Sequence, residues 1–451
     1  MILMVALLVP VLAVLGARIF RNPVEGVYLF VALSGITIAP AFPVIGDRLS
    51  VADLVMVLTI AATALRGEIF APPPPGRRLA DQLAALFVAL CTLSSAAALI
   101  HGQDPARVVL FSAIYLYGYL CLRVMLRLID TPERFARMCL FWAAGAVLVS
   151  AVGVLAASGI WRPGWSVDPL TGRLSATMKM SGQVASYLGP ALFILFWLGT
   201  GRRLGIRRNL LALGVLAMAL VVMIGTGSRL AFGIVVLAVA YMAALLAGAD
   251  RGLLRRGPAL GALCLGLGVF LAFAAPVWTD ESESYSLART SPFERALRIF
   301  AETSRDGRAG LADWGGTRYD EVSTAAANLW RDPLFGTGSG MFSATYRLNE
   351  VHNTYVGILA ENGPLALLAF LAWWGWTATL LLRAASGGGG PGARLMARLA
   401  LGAFLSLALY QITTNGLRQR PFWFVSAAAV CAVTLRPVRQ VAHPPAKAVP
   451  A

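Results

Sequence analysis

Charge, lysine, histidine and paired cysteine are all scarce in this chain, and each shortage removes a class of protein. Only 13% of the 451 residues are charged, where a soluble domain carries roughly 25%. With a mean hydropathy of +0.71, that excludes a water-soluble enzyme, a disordered chain and a fibrous repeat. Lys179 and Lys447 are the only lysines, so the formal charge of +16 is almost wholly arginine. Nucleic-acid binding needs basic residues gathered on one face; here they fall as short clusters between apolar runs, the pattern of a multi-pass membrane protein. The five cysteines (Cys91, Cys121, Cys139, Cys264, Cys431) all sit in apolar stretches without a CxxC pair, which excludes a disulfide framework or a cysteine metal site. No Asp-x-Asp or His/Cys cluster points to a metal, and no Walker or GxGxxG sequence points to a nucleotide cofactor.

What the chain does have is long apolar runs. Segments 1–17, 24–44, 51–65, 80–100, 108–126, 138–157, 183–198, 210–224, 230–246, 259–277, 355–382, 399–413 and 422–435 each approach the ~20 residues that cross a bilayer. The expectation is an all-α polytopic protein of roughly 12 or 13 transmembrane helices. Segment 1–17 lacks the positive region of a signal peptide and reads as a retained span. Arginines cluster on alternate loops: Arg77 and Arg78; Arg123 to Arg137; Arg202 to Arg208; Arg251 to Arg256; Arg383 to Arg398. By the positive-inside bias these loops face the cytoplasm. The opposite loops, 46–50, 101–106, 158–181, 225–229, 278–352 and 415–420, then face outward. The loop 278–352 is the only long one and holds half of the chain's 22 acids, so it reads as an outer subdomain with helices around Phe293 to Ala301 and 322–330. The expected organisation is N-terminal helices over 1–277, the loop subdomain over 278–352, C-terminal helices over 353–436 and a cytoplasmic tail over 437–451.

Ionisable residues at membrane depth are costly and mark functional candidates. Arg229 ends the turn Gly225-Thr226-Gly227-Ser228, where converging amides and a guanidinium suit a phosphate; an arginine snorkelling out of a tight turn would look the same. His352 precedes Asn353 where the long loop re-enters the membrane. An imidazole there can exchange a proton near neutrality, and the bland alternative is a helix cap built on Asn353. Glu361 lies along the same helix at bilayer depth, either functional or paired with an arginine for packing. The run Gly336-Thr337-Gly338-Ser339-Gly340 reads as a phosphate loop or as a plain loop with turn glycines. Arg162, Arg173 and Lys179 interleave with Trp161 and Trp165 on loop 158–181, which suits sugar stacking with anion contact and equally suits an interfacial aromatic belt.

Three stretches in order carry a family likeness: TGSRLAFG at 226–233, TRYDEVSTAAANLWRDPLFGTGSGMF at 317–342, and HNTYVGILAENGPLA at 352–366. Together they resemble the O-antigen ligase and polysaccharide polymerase superfamily of bacterial membrane proteins. The resemblance implies a GT-C-like fold and an inverting, metal-independent glycosyltransferase of the inner membrane. Its donor would be a glycan on undecaprenyl pyrophosphate, its acceptor lipid A-core or a growing polysaccharide, and its active site would face the periplasm without a cofactor. Position by position, Arg229 resembles the family's pyrophosphate-engaging arginine, Arg318 its outer-loop arginine and His352 its required histidine. Arg162 and Arg173 are lesser donor-binding candidates; Asn353, Glu361 and Gly363 are supporting ones. The chain departs from the ligase pattern after Gly363, where Pro364-Leu365-Ala366 stands in place of a second glycine. Two other functions fit a dozen helices with buried arginine: a transporter or flippase for lipid-linked oligosaccharide, which should show internal repeats and paired broken helices, and a structural subunit of a secretion or division complex.

Overall fold

The protein is represented by a computed structural model that describes residues 13–37, 50–167, 173–200, 206–247, 322–330, 332–346, 351–387 and 390–435. Each long apolar run among the described residues forms a helix over at least part of its length, because a backbone in hydrocarbon must satisfy its own hydrogen bonds. In chain order these are α1 (Pro23–Leu33), α2 (Val51–Leu65), α3 (Arg78–Ile100), α4 (Pro105–Leu128), α5 (Pro132–Ala157), α6 (Ser181–Thr200), α7 (Ile206–Gly225), α8 (Arg229–Ala247), α9 (Thr354–Ser386), α10 (Pro391–Thr413) and α11 (Arg420–Thr434). Among the described residues, seven helices are long and apolar enough to cross a membrane: α3 to α7, α9 and α10; α1, α2, α11 and the apolar part of α8 are shorter. The expected span 259–277, most of span 1–17 and the predicted helix around Phe293 lie outside the described residues. No strand occurs among the described residues, only an isolated bridge between Val167 and Leu174. The chain is an all-α polytopic membrane protein.

Helix starts are written locally. Asp104 caps α4 by accepting from the Ala106 amide, and Thr131 caps α5 by accepting from Arg134; in both, proline at the start of the helix removes one amide that would have no helical partner. The expected span 24–44 is cut short. Helix α1 ends at Leu33, and Gly35 lies so close to Val149 and Tyr187 that a Cβ there would stand 2.6 and 2.8 Å from them.

Helix α9 packs between α3 and α10, α6 between α7 and α10, and α11 between α10 and α4. Aromatic rings fill the centre: Trp374 stacks on Phe422 at 5.4 Å, Trp373 on Trp423 at 5.7 Å, and Trp142 meets Phe424 edge-on at 4.8 Å. Gly118 on α4 makes room for Trp423, whose ring would lie 2.2 Å from any Cβ there.

Loops assigned to one side by the arginine pattern meet one another. At one end Arg77 donates to the Leu126 and Ile129 carbonyls and to Thr434, and Arg123 pairs with Asp81. At the other end Arg107 donates to the Gly340 carbonyl, Asn353 to the Ile412 carbonyl, and Gly225 abuts Leu174. That second end carries the candidate site.

Candidate functional site

Helix α9 is broken by its own sequence. Gly363 adopts φ 80° and ψ 174°, outside helical space, and Pro364 follows it. Proline has no amide, so the carbonyl four residues back, Ala360, loses its helical donor. At membrane depth such a carbonyl must find another. The glycine-rich run supplies it: Thr337 N donates to Ala360 O at 3.0 Å and Gly338 N to Glu361 O at 2.8 Å. The Asn328 side chain adds a bond to Ala360 O at 3.0 Å, and the Ser94 hydroxyl on α3 sits 2.8 Å from Glu361 O. Of the two readings of this run, the plain loop is the one observed. The amides of Thr337 and Gly338 go to backbone carbonyls of α9 and that of Gly340 to the Glu361 carboxylate, so the loop is a strap that repairs the broken helix.

The strap penetrates the bundle. Ser339 is fully buried, donating to Asn362 Oδ1 at 2.6 Å. Gly340, at φ 75°, lies against Phe111, whose ring would come within 2.0 Å of a Cβ; only glycine combines that backbone with that closeness. Residues 322–330 are helical, as expected, and pack Ala325 against Phe342, Val351 and Ala360.

Glu361 takes the packing alternative. It is 3% exposed, accepts from Gly340 N at 2.9 Å, and pairs with Arg418 at 3.2 Å. The Arg418 guanidinium also lies 4.1 Å over the Phe111 ring, a cation–π contact. Asn353 caps α9 through Val356 N at 3.0 Å and holds the end of α10 through Ile412 O at 2.9 Å. His352, one residue earlier, is exposed beside that joint. Arg229 opens α8 directly after the Gly227 turn, but its side chain lies outside what is described, as does all of Arg318. Arg162 and Arg173 are exposed on the loop following α5, where Trp161 and Trp165 meet edge-on at 5.8 Å. Thus Glu361, Gly363 and Asn353 gather along the first half of α9 with His352 at its tip.

Sequence reasoning missed a second cluster at the same end. Arg420 makes a two-pronged pair with Asp53, its Nε 2.6 Å from Oδ1 and its Nη2 on Oδ2. Asp53 also accepts from Tyr117 OH at 3.0 Å and from Ser50 N at 2.8 Å. Asp53, Tyr117, Lys179, Arg418 and Arg420 line a cavity of about 390 Å³ between α1, α2, α4, α6 and the start of α11. His352, Arg162 and Arg173 are not among its lining residues. The available signal was an aspartate inside the apolar run 51–65 and the Arg-Gln-Arg before Pro421, both ionisable at a span edge. Among the described residues no group of His, Cys, Asp and Glu could hold a metal ion, and Cys91, Cys121, Cys139 and Cys431 are buried free thiols.

No curated protein matches the chain. Residues 213–371, from within α7 to within α9, match the family described as O-antigen ligase, and that stretch contains Arg229, Arg318, His352, the strap and the Gly363 break. Together with the bundle of membrane-spanning helices, this match supports the likeness to the O-antigen ligase and polymerase superfamily over residues 213–371.

Proposed function

We propose that the protein transfers a glycan from a polyprenyl diphosphate donor, undecaprenyl pyrophosphate in a bacterial inner membrane, to a sugar hydroxyl at the periplasmic face. The observation that carries the reading is the O-antigen ligase match over 213–371, which spans all three residues singled out for transfer. The convergence of outer-end loops onto α9, with His352 exposed beside the cap of that helix, supports it.

The chemistry asks little of the protein beyond placement. The acceptor oxygen attacks the anomeric carbon from the face opposite the diphosphate, a new carbon–oxygen bond forms as the bond to the phosphate breaks, and the configuration inverts. His352 takes the acceptor's proton as general base or orients the hydroxyl. Arg229 and Arg318, with Arg162 and Arg173 as outer contacts, stabilise the charge that develops on the diphosphate. The leaving group is good enough that no metal is required in this scheme. The acceptor is lipid A-core for a ligase or a growing chain for a polymerase.

The test is glycan transfer by Arg229→Ala, Arg318→Ala and His352→Ala proteins that reach the membrane at normal levels. Each is expected to lose at least ~100-fold, the lower bound for removing a general base or a preorganised charge. Normal transfer by all three would sink the assignment. Sizing the surface glycan after deleting the gene separates the branches: single repeat units on the acceptor mean a lost polymerase, and long chains held on the lipid carrier mean a lost ligase.

A further inference from the structure

His352 stands on a bend between two buried neighbours in the chain. Val351 is 1% exposed and packs with Ala325, Phe342 and Ala360. Thr354, the first residue of α9, is fully buried. Asn353 bonds in two directions, to Val356 N within α9 and to the Ile412 carbonyl at the end of α10. Of these four residues only His352 is exposed. The backbone beneath an exposed imidazole sets where its ring can reach, so the anchors at 351 and 354 bear on its placement.

The Thr354 hydroxyl is the most heavily engaged polar group among them. It donates to the Thr414 carbonyl at 2.7 Å or to Gln411 Oε1, and it accepts from Gly416 N at 3.0 Å. A hydroxyl has one proton and two lone pairs, and all of these partners belong to one segment, the connection from α10 to α11. That segment is closely packed. Gln411 is fully buried, and Gly416 comes so near it that a Cβ there would stand 2.2 Å from the Gln411 amide nitrogen. Nor is the hydroxyl needed to start the helix, because the Asn353 side chain already supplies the cap.

We propose that Thr354 is a positioning residue for His352, its hydroxyl pinning the start of α9 to the α10–α11 connection so that the imidazole two residues earlier meets the acceptor hydroxyl. The inference deepens the functional reading above and rests on it for the part the imidazole plays in transfer. Thr354 is closed off from solvent and acts only through its neighbour. Its loss therefore leaves substrate binding in place and shows in the chemical step, where a misplacement of about 1 Å costs up to ~100-fold.

The experiment uses the full-length protein in detergent, with lipid-linked glycan extracted from the gene-deletion strain titrated as donor and rates expressed per folded protein. Thr354→Val keeps the shape of the side chain and removes the hydroxyl. It is expected to lower kcat at least ~tenfold while the apparent KM stays within about twofold. Thr354→Ser restores the hydroxyl and should restore the rate, and Gln411→Leu, which removes a partner from the other side, should lower kcat in the same way. A second readout is independent of activity. The chain has three histidines, so protein labelled with carbon-13 at histidine Cε1 gives one ring signal each, with His352→Gln assigning the relevant one. In Thr354→Val the His352 signal should shift or broaden while those of His101 and His443 stay in place.

A purely structural role for Thr354 predicts a lower unfolding midpoint with the wild-type rate per folded protein, and that result would overturn the proposal. So would equal loss in Thr354→Ser, or an unmoved His352 signal in Thr354→Val. Inactive His352→Ala beside fully active Thr354→Val would defeat this inference and leave the transferase reading intact. Normal transfer by His352→Ala, with its ring signal in the parent still dependent on Thr354, would instead remove the imidazole from the transferase reading and leave the positioning contact standing.

Discussion

A methyl group on Gly363 would stand 2.0 Å from the Leu334 carbonyl oxygen, at a backbone φ of 80° and ψ of 174° that is essentially closed to other residues. Gly363→Ala is therefore expected to cost at least ~2 kcal/mol, read as a lower unfolding midpoint in detergent together with loss of glycan transfer; an unchanged midpoint would contradict the tight approach. Glu361 poses a different residue-scale problem. Its carboxylate is 3% exposed and its partner Arg418 12%, and removing one member of a buried pair costs about 3–5 kcal/mol. Glu361→Ala should destabilise by roughly that amount, and the double change Glu361→Ala with Arg418→Met should recover part of the loss in the same unfolding measurement. From the sequence Glu361 was legible as a residue needing an explanation, because a carboxylate in an apolar helix has to be paired. Its partner was not legible, because Arg418 is 57 residues away and on a different loop.

The strap and the broken helix make one unit at the element scale. Pro364 removes a donor, Gly363 turns the chain, and the amides of Thr337 and Gly338 fill the gap. Replacing Pro364 by alanine returns an amide four residues after Ala360, which then competes with Thr337 for that carbonyl. Pro364→Ala should raise amide hydrogen exchange at Thr337 and Gly338 by about tenfold, equivalent to ~1.4 kcal/mol and close to the net worth of one hydrogen bond. Exchange unaltered at both amides would show that the strap does not depend on the break. The sequence showed Gly-Pro and a glycine-rich run as separate local signals. Their complementarity needed three dimensions, since each reads alone as an ordinary turn. Some helices were legible almost to their ends: the run 51–65 is helix α2 to the residue, and 80–100 begins only two residues late. Caps extended others, as Asp104 and Thr131 with their following prolines carried α4 and α5 beyond the apolar run.

Across the whole molecule, the arginine alternation predicts which loops share a side, and the contacts between loops obey that grouping at both ends of the bundle. Sidedness itself is open to a direct check. A single cysteine at Trp161, which is 48% exposed, should react with a membrane-impermeant maleimide in intact spheroplasts, whereas one at Arg208 should react only after permeabilisation. The reverse pattern would invert the topology and with it the periplasmic placement of His352.

Hydrophobic runs, proline and cap residues were enough to determine an all-α membrane protein, and the motif stretches from 226 to 366 carry its likeness to the O-antigen ligase family. Helix formation in hydrocarbon is a local matter, decided by hydrogen bonds four residues apart and by the thickness to be crossed. Only the tertiary structure decided that Asp53 meets Arg420 across 367 residues, that Glu361 meets Arg418, and that a cavity opens beside them. An ion pair depends on distance through space, and a membrane bundle brings distant helices together by ring packing and small-residue contacts that no periodicity in the chain announces.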